Sequence, residues 1–333
     1  MRILTINAGS TSLKLERYDF SGALPSIAEP PAPAAVYADL SAALGDTFDT
    51  VAHRFVRLPD GSPPVLRLDE ATVSTIEGVS GEAPLHDAPA LAAVREVRSR
   101  APGVVQFAVE DGAFHRTLTP AAYTYAIPRA MTARGLRRLG YHGLSHEYAA
   151  HRGAAQVGLD VGVARIVTLH LGGGSSLCAV RSGASIDTTM GYTPIEGIPM
   201  ATRSGSVDPG LLVHLLREGM PVDALERMLE RESGLLGMSG ISGDVRALLA
   251  VRSTDAGAAL ALDVFVWRTR SALGAMAAAL GGADLATFAG GIGEHSEPLR
   301  TAILEDADRF GIASSCVVEA RENWMLARAV ANA

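Results

Sequence analysis

The chain of 333 residues is too long for one ordinary core and suits two domains. Hydrophobic residues make up 48% of it and charged residues 20%, which is typical of a globular protein with a substantial core. The net charge of −7 argues against a nucleic-acid partner, and two cysteines are too few for a disulfide framework. We find neither the pattern of a signal peptide nor an apolar run of about 18 residues, so we expect a cytoplasmic protein without membrane segments.

The first predicted strands, residues 3–7 and 12–18, are joined by a turn at Ala8-Gly9-Ser10. A glycine in such a turn lets backbone N–H groups approach an anion such as a phosphate chain. A second hairpin beginning at Arg165 repeats the pattern, so that one domain is predicted to be a duplicate of the other, with a nucleotide cleft between them. In this alignment Arg2, Ile3, Thr5, Asn7 and Gly9 match Arg165, Ile166, Thr168, His170 and Gly172, and after one inserted glycine Ser12 and Leu13 match Ser176 and Leu177.

Between the hairpins, strands are predicted at residues 50–56 and 104–109, with a helix at 88–100. The chain after the second hairpin is mostly helical, apart from a strand at 284–289 and a glycine-rich turn at 290–296. The predicted helices of this region are 211–217, 223–232, 245–252, 256–280, 297–307 and 319–333.

Several familiar sites are absent from the sequence. It contains neither the G-x-x-x-x-G-K-[ST] phosphate loop nor the G-x-S-x-G nucleophile elbow. His146 and His151 would lie about 140° apart on a helix with about 100° per residue, so they cannot share a zinc ion as an i, i+4 pair can. The GGIGEHS stretch at 290–296 lacks the third glycine of a dinucleotide fingerprint.

Five stretches combine polar side chains with strand ends or irregular loops, where functional residues of α/β proteins are often found. Any one of them would be unremarkable, but five beside a repeated phosphate-binding hairpin argue against coincidence. They are HRFV (53–56) with Arg54, APLHDAP (83–89), EDGAFH (110–115) with Asp111, GYHGLSH (140–146) with His142, and TPIEGIPMATRSGSVDPG (193–210) with Arg203.

With these motifs the whole chain resembles the acetate kinase family, the acetate, propionate and butyrate kinases of the actin/hexokinase/chaperone-like superfamily. INAGSTSLK (6–14), HLGGGSS (170–176), SGLLGMSGISGDVR (233–246) and GGIGEHS complete the family's order and spacing. The resemblance implies an α/β fold of two duplicated ribonuclease-H-like (actin-like ATPase) domains. Residues 1–112 with the terminal helix 320–333 would form the acyl-substrate and phosphate domain, and 113–319 the nucleotide-binding and dimerisation domain. Helix 256–280 would be either the seam of a homodimer or a helix buried within one subunit.

The resemblance also implies reversible transfer of the γ-phosphoryl group of ATP to a short-chain carboxylate, most simply acetate, giving an acyl phosphate and ADP. A carboxylate is ionised at neutral pH and needs no base, so the obstacle is repulsion between two anions. Arg54 and Arg203 match the family's active-site arginines, and His142 matches the histidine that stabilises the transferring group. Asp111 matches its essential acidic residue, to which we assign organisation of metal and water.

The remaining site residues follow from the same resemblance. Asn7 and Glu322 would hold Mg²⁺ or Mn²⁺, and Arg54, Val56, Leu85, Tyr141 and Pro194 would line the acyl pocket. The residues that correspond to ATP contacts are Lys14, His170, Leu171, Gly172, Gly173, Gly174, Asp244, Val245, Arg246, Gly291, Ile292, Gly293, Glu294 and His295.

The chain also departs from the family's pattern and is shorter than usual, before residue 50 and between Phe310 and Val317. Gly173 stands where an asparagine usually faces the phosphates, and Tyr141 replaces a phenylalanine. Tyr141 adds a hydroxyl to an otherwise apolar wall, and a buried hydroxyl without a partner is costly. A longer acyl chain would crowd this hydroxyl, so we expect acetate or propionate to be preferred over butyrate. These departures leave open a catalytically weak or inactive nucleotide-binding paralogue with a regulatory role. A sugar kinase of the same superfamily is disfavoured because the substrate loops resemble those of acyl kinases.

Overall fold

The structure, a computed structural model, describes residues 1–9, 13–79 and 84–333, without the side chains of 79–87. The predicted turn at Ser10, the start of the second strand at Ser12 and part of the APLHDAP motif lie outside the described residues.

The chain forms two compact units. Unit 1 comprises Met1–Phe114, Gly143–Tyr148 and Arg321–Ala333, and unit 2 comprises His115–His142 and Ala149–Ala320.

Unit 1 is built on a mixed sheet in which β1 pairs antiparallel with β2 and parallel with β4, and β4 pairs parallel with β6. The central strand β1 is an apolar run buried along nearly its whole length, as expected of a strand that is covered on both faces. In the described residues the sheet order is β3-β2-β1-β4-β6-β5. Its strands are β1 (Arg2–Ala8), β2 (Leu13–Asp19), β3 (Ala35–Tyr37), β4 (Thr50–Phe55), β5 (Val65–Arg67) and β6 (Val105–Glu110).

Unit 2 repeats this arrangement. Its strands are β7 (Arg165–Leu171), β8 (Ser175–Arg181), β9 (Ala184–Thr188), β10 (Leu285–Ala289) and β11 (Ser315–Val317), in the order β11-β10-β7-β8-β9. β7 pairs antiparallel with β8 and parallel with β10, and β10 pairs parallel with β11, so β7 and β10 take the places of β1 and β4. The predicted duplication of an α/β domain is confirmed.

The register of the two hairpins corrects the sequence alignment of their second strands. Asn7 lies opposite Lys14, and the corresponding His170 lies opposite Ser176. Lys14, and not Ser12, is therefore the counterpart of Ser176, because the ladder resumes at Leu13 in unit 1 but already at Ser175 in unit 2. The extra residue belongs to the first turn, whereas the alignment had inserted a glycine in the second.

Helices flank both sheets. Unit 1 holds α1 (Leu40–Leu44), α2 (Glu70–Val79), α3 (Pro84–Arg100) and α14 (Glu322–Ala331), and α6 (Gly143–Gln156) belongs to both units. Unit 2 holds α4 (Pro120–Tyr123), α5 (Arg129–Thr132), α7 (Pro209–Arg217), α8 (Val222–Arg231), α9 (Gly234–Ser239), α10 (Val245–Val251), α11 (Ala256–Leu280), α12 (Gly290–His295) and α13 (Glu297–Leu304), with a 3₁₀ segment at Ala307–Phe310. A second 3₁₀ segment, Asp111–Thr117, begins in unit 1 and ends in unit 2.

The long helix α11 has the bounds that the sequence predicts. Asp255 caps its first turn by accepting a hydrogen bond from the Ala258 N–H, and Gly281 ends it in the left-handed conformation (φ +74°). Phe265 and Leu273 are fully buried members of the main core of unit 2. In unit 1, α14 packs on β1 and β4 and buries Trp324 completely.

The predicted turn at 290–296 is wrong, because most of this stretch is the short helix α12. Gly290 enters the helix with φ +77°, and a Cβ there would lie 2.7 Å from the Leu171 carbonyl oxygen. The Glu294 carboxylate accepts a hydrogen bond from the Gly290 N–H at 3.0 Å and so stabilises the first turn. No helix within the described residues is long and apolar enough to cross a membrane.

Candidate active site

Unit 1 carries a buried ion pair at the ends of two neighbouring strands. Arg54 lies near the end of β4, and Asp111 follows β6 directly. The two strands are parallel partners, so both side chains lie at one edge of the sheet, where Arg54 Nη2 donates to Asp111 Oδ2 at 2.8 Å. Only 2% of the Asp111 side chain is exposed, so the pair is largely shielded from water. A Cβ at Gly143 would lie 2.2 Å from the Asp111 carbonyl oxygen, which requires glycine there.

A second polar group of unit 1 lies at the end of its hairpin. Asn7 and Lys14 face each other across β1 and β2, and Glu322 opens α14. Glu322 Oε2 is 3.5 Å from Asn7 Nδ2 and 3.4 Å from Lys14 Nζ. The neighbouring Asn323 is 3% exposed, and its two amide atoms have no hydrogen-bond partner in the described part of the chain.

These donors fit a hard divalent cation. Asn7 and Glu322 offer amide and carboxylate oxygens, and Mg²⁺ is commonly held by one or two carboxylates plus waters. The described residues contain no cluster of three or more His, Cys, Asp and Glu side chains that could hold a metal ion. The two side chains offer oxygen donors of the kind that Mg²⁺ or Mn²⁺ takes together with water.

In unit 2, three predicted site residues meet at the turn between β7 and β8. Gly172 N–H donates to the Gly174 carbonyl oxygen at 3.0 Å and closes the turn. A Cβ on Gly174 would lie 3.1 Å from His142 Nε2 and 3.3 Å from Arg203 Nη1. The imidazole and the guanidinium therefore approach the same backbone position. This arrangement places two nitrogen donors beside a turn of the kind that binds anions.

The backbone and the ring of His142 are both constrained. His142 precedes α6 in the left-handed conformation (φ 58°, ψ 24°), which is uncommon for a residue with a side chain. Its Nδ1 lies 2.8 Å from Ser176 Oγ of β8, and its ring centroid lies 4.3 Å from that of His170. The contact at Nδ1 leaves Nε2 as the atom beside Gly174. Ser176 lies in the HLGGGSS motif, but nothing in the sequence pattern predicts it as a partner of His142.

The other predicted nucleotide contacts of unit 2 fall into two places. α12 holds Gly291, Ile292, Gly293, Glu294 and His295, and a Cβ on Gly172 would lie 3.8 Å from Gly291 N, so this helix begins beside the turn. Asp244 caps α10 through the Arg246 N–H and also forms an ion pair with the Arg246 guanidinium at 2.7 Å, which lowers the Asp244 pKa through hydrogen bonds and charge. The side chains of Leu171 and Val245 are buried in the core, so any ligand would meet their backbone.

The predicted acyl-pocket residues are divided between the units. Val56 lies in unit 1 and is buried, whereas Tyr141 and Pro194 lie in unit 2 and are also buried. Leu85 lies outside the residues whose side chains the structure describes. The expectation of a Tyr141 hydroxyl without a partner is wrong, because it donates to the Tyr192 carbonyl oxygen at 2.5 Å. The hydroxyl is therefore fixed by the backbone of unit 2.

The chain is similar to known proteins of one family. The model of the Acetokinase family matches residues 35–325. An acetate kinase of Synechococcus sp. is 48% identical over 246 residues, which are 74% of this chain and 61% of that protein. A propionate kinase of Yersinia enterocolitica is 40% identical over 306 residues, 91% of this chain and 73% of that protein.

Solved structures share the fold across the whole chain. The crystal structure of Porphyromonas gingivalis acetate kinase superposes with a TM-score of 0.84 at 28% identity, covering 99% of each chain. A propionate kinase from Francisella tularensis gives 0.85 at 27% identity and covers 98% of each. In the sequence comparison, however, the chain spans only 61% of the Synechococcus protein and 66% of a Gloeobacter violaceus acetate kinase.

Proposed function

The chain belongs to the acetokinase family, and from this we propose that it transfers the γ-phosphoryl group of ATP to a short-chain carboxylate, acetate above all. The products are an acyl phosphate and ADP, and the reaction is reversible. The observation that supports this most directly is the approach of His142 Nε2 and Arg203 Nη1 to Gly174, because phosphoryl transfer needs donors already in place where negative charge develops.

Arg54 is proposed to hold the carboxylate substrate. A guanidinium can bind a carboxylate through two parallel hydrogen bonds, and it remains charged at any physiological pH. Asp111 accepts from Arg54 Nη2 at 2.8 Å and so fixes the orientation of the planar group. Because the substrate is already an anion, Asp111 is not needed as a base, and we assign it to orienting Arg54 and organising metal and water.

His142 and Arg203 are proposed to stabilise the transferring phosphoryl group. Ser176 Oγ lies 2.8 Å from His142 Nδ1 and orients the imidazole, and we propose that Nε2 donates to an equatorial oxygen. Gly172, Gly173 and Gly174 are proposed to form the turn for the ATP phosphates: the Gly172 N–H closes the turn, and the N–H groups of Gly173 and Gly174 face the phosphates together with the start of α12. Asp244, Val245 and Arg246 of α10 are proposed to contact the remainder of the nucleotide.

Asn7 and Glu322 are proposed to hold Mg²⁺ or Mn²⁺, with Lys14 supplying a further positive charge. When bound, the ion would neutralise phosphate charge and polarise a phosphoryl oxygen. Asn7 lies at a strand end and Glu322 in the first turn of α14, and their side chains approach within 3.5 Å of each other.

We further propose a cytoplasmic homodimer in which α11 forms the contact between subunits. Leu260 and Trp267 on this helix are 58% and 70% exposed in the single chain. Large apolar side chains at that exposure favour burial against a second copy. In the proposed division of labour, residues 1–112 with 320–333 bind the acyl substrate and residues 113–319 bind the nucleotide and dimerise.

The test is to trap acyl phosphate with hydroxylamine in the presence of ATP and MgCl₂, across acids of one to five carbons. We expect acetyl hydroxamate to form, with acetate or propionate used better than butyrate. Arg203→Ala should lower kcat by about 10³-fold or more, as removal of an arginine from a phosphoryl-transfer site does. Arg54→Ala should also raise KM for the carboxylate.

The matched control is Arg227→Ala, which removes an exposed arginine paired with Glu232. It should retain the activity of the unaltered protein. Tight nucleotide binding without hydroxamate from any of the acids would instead identify an inactive paralogue. Near-normal turnover in both active-site variants would refute the roles given to the two arginines.

A further inference from the structure

In unit 2 three buried polar side chains form a hydrogen-bonded series that ends at the backbone carbonyl before His142. It consists of Cys178 of β8, Ser185 of β9 and His115 of the 3₁₀ segment, each at most 2% exposed. Cys178 Sγ lies 3.3 Å from Ser185 Oγ, and Ser185 Oγ lies 2.8 Å from His115 Nδ1. His115 Nε2 lies 3.0 Å from the Tyr141 carbonyl oxygen.

The direction of each hydrogen bond follows from the carbonyl end. A carbonyl oxygen only accepts, so His115 Nε2 carries the proton and donates to Tyr141. In the neutral ring Nδ1 is then an acceptor, and it receives the Ser185 hydroxyl proton. Burial raises the pKa of the Cys178 thiol to about 12, so the thiol keeps its proton and can donate to Ser185 Oγ. The series therefore fixes one tautomer of His115.

The packing around His115 shows that the ring is fitted closely to this loop. A Cβ on Gly140 would lie 2.5 Å from His115 Cδ2, so only glycine, here with φ +80°, lets the ring approach. The Thr117 hydroxyl donates to the Ser185 carbonyl oxygen at 2.7 Å and holds the 3₁₀ segment against β9. The imidazole thus occupies a prepared position between the strand and the loop.

The residue that follows this anchored carbonyl is His142, whose left-handed backbone is costly without support from its surroundings. The Tyr141–His142 peptide is held through its carbonyl oxygen by His115, and the Tyr141 ring is held through its hydroxyl by Tyr192. On the other side Ser176 contacts the His142 ring. Loss of the carbonyl anchor would let the peptide rotate and would move Nε2 away from Gly174.

We propose that His115 is a positioning residue for His142: its Nε2–H holds the Tyr141 carbonyl and so sets the backbone and ring orientation from which His142 acts. Its effect on catalysis rests on the proposed phosphoryl transfer, whereas its effect on the His142 ring does not. Ser185 supports the same function by keeping the proton of His115 on Nε2.

The experiment compares His115→Phe, which keeps a ring without the donor, with His115→Gln, whose amide can donate to the carbonyl. Ser185→Ala removes the support at Nδ1, and His214→Gln, an exposed histidine of α7, is the control. For each variant kcat, KM for ATP and the melting temperature are measured. The ¹⁵N and ¹H shifts of the His142 ring are recorded by NMR and assigned with a His142→Asn variant.

We expect His115→Phe to lower kcat on the order of 10- to 100-fold, as small misplacements of reacting groups do, with KM for ATP changed less than about twofold. The His142 ring shifts should change in the Phe variant, return toward the original values in the Gln variant, and remain unaltered in the control. Ser185→Ala should show a smaller change of the same kind.

Unchanged His142 shifts in a folded His115→Phe protein would overturn the proposal, whatever the activity. Equal losses of kcat in the Phe and Gln variants that follow their melting temperatures would likewise reduce His115 to a packing residue. If the unaltered protein forms no acyl phosphate while the NMR differences appear, the proposed reaction fails and the positioning role stands.

Discussion

His53 should make the stability of unit 1 depend on pH. It lies on β4 next to Arg54 and is completely buried, with Nε2 2.7 Å from the side-chain oxygen of Gln106. The Gln106 amide nitrogen donates to the Val94 carbonyl oxygen, so its oxygen faces the imidazole and Nε2 carries the proton. Nδ1 has no hydrogen-bond partner among the described residues, so a proton there would be buried without an acceptor.

Burial accordingly lowers the pKa of His53 from its usual 6.5 to about 4, against the opposing effect of the Gln106 hydrogen bond. In the unfolded chain His53 takes up a proton as the pH falls through about 6.5, whereas in the folded protein it does so only near pH 4. Between these values the unfolded state binds more protons, so the free energy of unfolding decreases as the pH falls. At about 1.4 kcal/mol per pKa unit, the loss amounts to about 3 kcal/mol between pH 7 and pH 4.

The two tryptophans allow this to be measured in unit 1 alone. Trp324 is buried in unit 1 and Trp267 is exposed in unit 2, so in a Trp267→Phe background the fluorescence reports on unit 1. Urea unfolding would be followed from pH 7.5 to 4 in this background, with and without His53→Gln and His53→Met. All other titrating groups are shared, so the difference in slope isolates His53. If the variants lose as much stability over this range as the parent, His53 is not the group responsible and the reasoning is refuted.

Three further predictions concern unit 2. A Cβ on Gly173 meets nothing within 4 Å, so Gly173→Asn should fit and, by adding a donor toward phosphate, raise kcat at least ~10-fold with little change in ATP affinity. Gly174→Ala crowds the adjacent imidazole and guanidinium and should lower kcat. An unchanged kcat in the Gly173→Asn protein contradicts the donor's role. Tyr141→Phe leaves the Tyr192 carbonyl without its donor and should lower the free energy of unfolding by about 1–3 kcal/mol in urea titrations, and equal stability would show that another group replaces the hydroxyl. Trp267→Arg should convert a dimer into a monomer in sedimentation velocity at little cost in melting temperature, and a dimer that persists would exclude this face of α11 as the contact.

Elements whose ends are marked by local chemistry could be predicted from the sequence. The bounds of α11 follow from a capping aspartate and a terminal glycine, Asp255 and Gly281, which act within one turn of the helix. The prediction of a turn at 290–296 is wrong because a glycine-rich stretch of this kind is compatible with a turn and with a short helix. What makes it helical is a side chain that folds back, Glu294 onto the Gly290 N–H, together with the close approach of Gly290 to β7.

The register of the hairpins shows a second limit. Sequence similarity aligns Ser12 with Ser176. Pairing across a hairpin, however, is set by the number of residues in the turn, and the first turn has one residue more than the second. In segments rich in Gly and Ser, sequence similarity does not determine the number of residues in the turn. The correct counterpart of Ser176 is Lys14, which carries a different chemistry.

Some contacts of the candidate site can be predicted from the sequence and others cannot. Asp111 beside Arg54 is a contact that strand order predicts, because the ends of adjacent parallel strands meet at one sheet edge. His115, by contrast, reaches residues 26 and 70 positions away, and its role depends on which of its nitrogens faces a carbonyl. No local sequence pattern shows which nitrogen of His115 faces the carbonyl, because the EDGAFH motif is the same whether or not its histidine holds the Tyr141 backbone.

The corrected register also explains how one hairpin could acquire two chemistries. In both units the last pairs of the ladder point side chains toward what lies beyond the strand ends: Asn7 and Lys14 toward Glu322, and His170 and Ser176 toward His142. These positions lie next to the turns, and the antiparallel ladder is the same around them in both units although the side chains differ. In unit 1 the facing positions carry Asn7 and Lys14 beside the Glu322 carboxylate, where we propose that a cation binds. In unit 2 the corresponding positions carry His170 and Ser176 beside His142, where we propose that the transferring phosphoryl group binds.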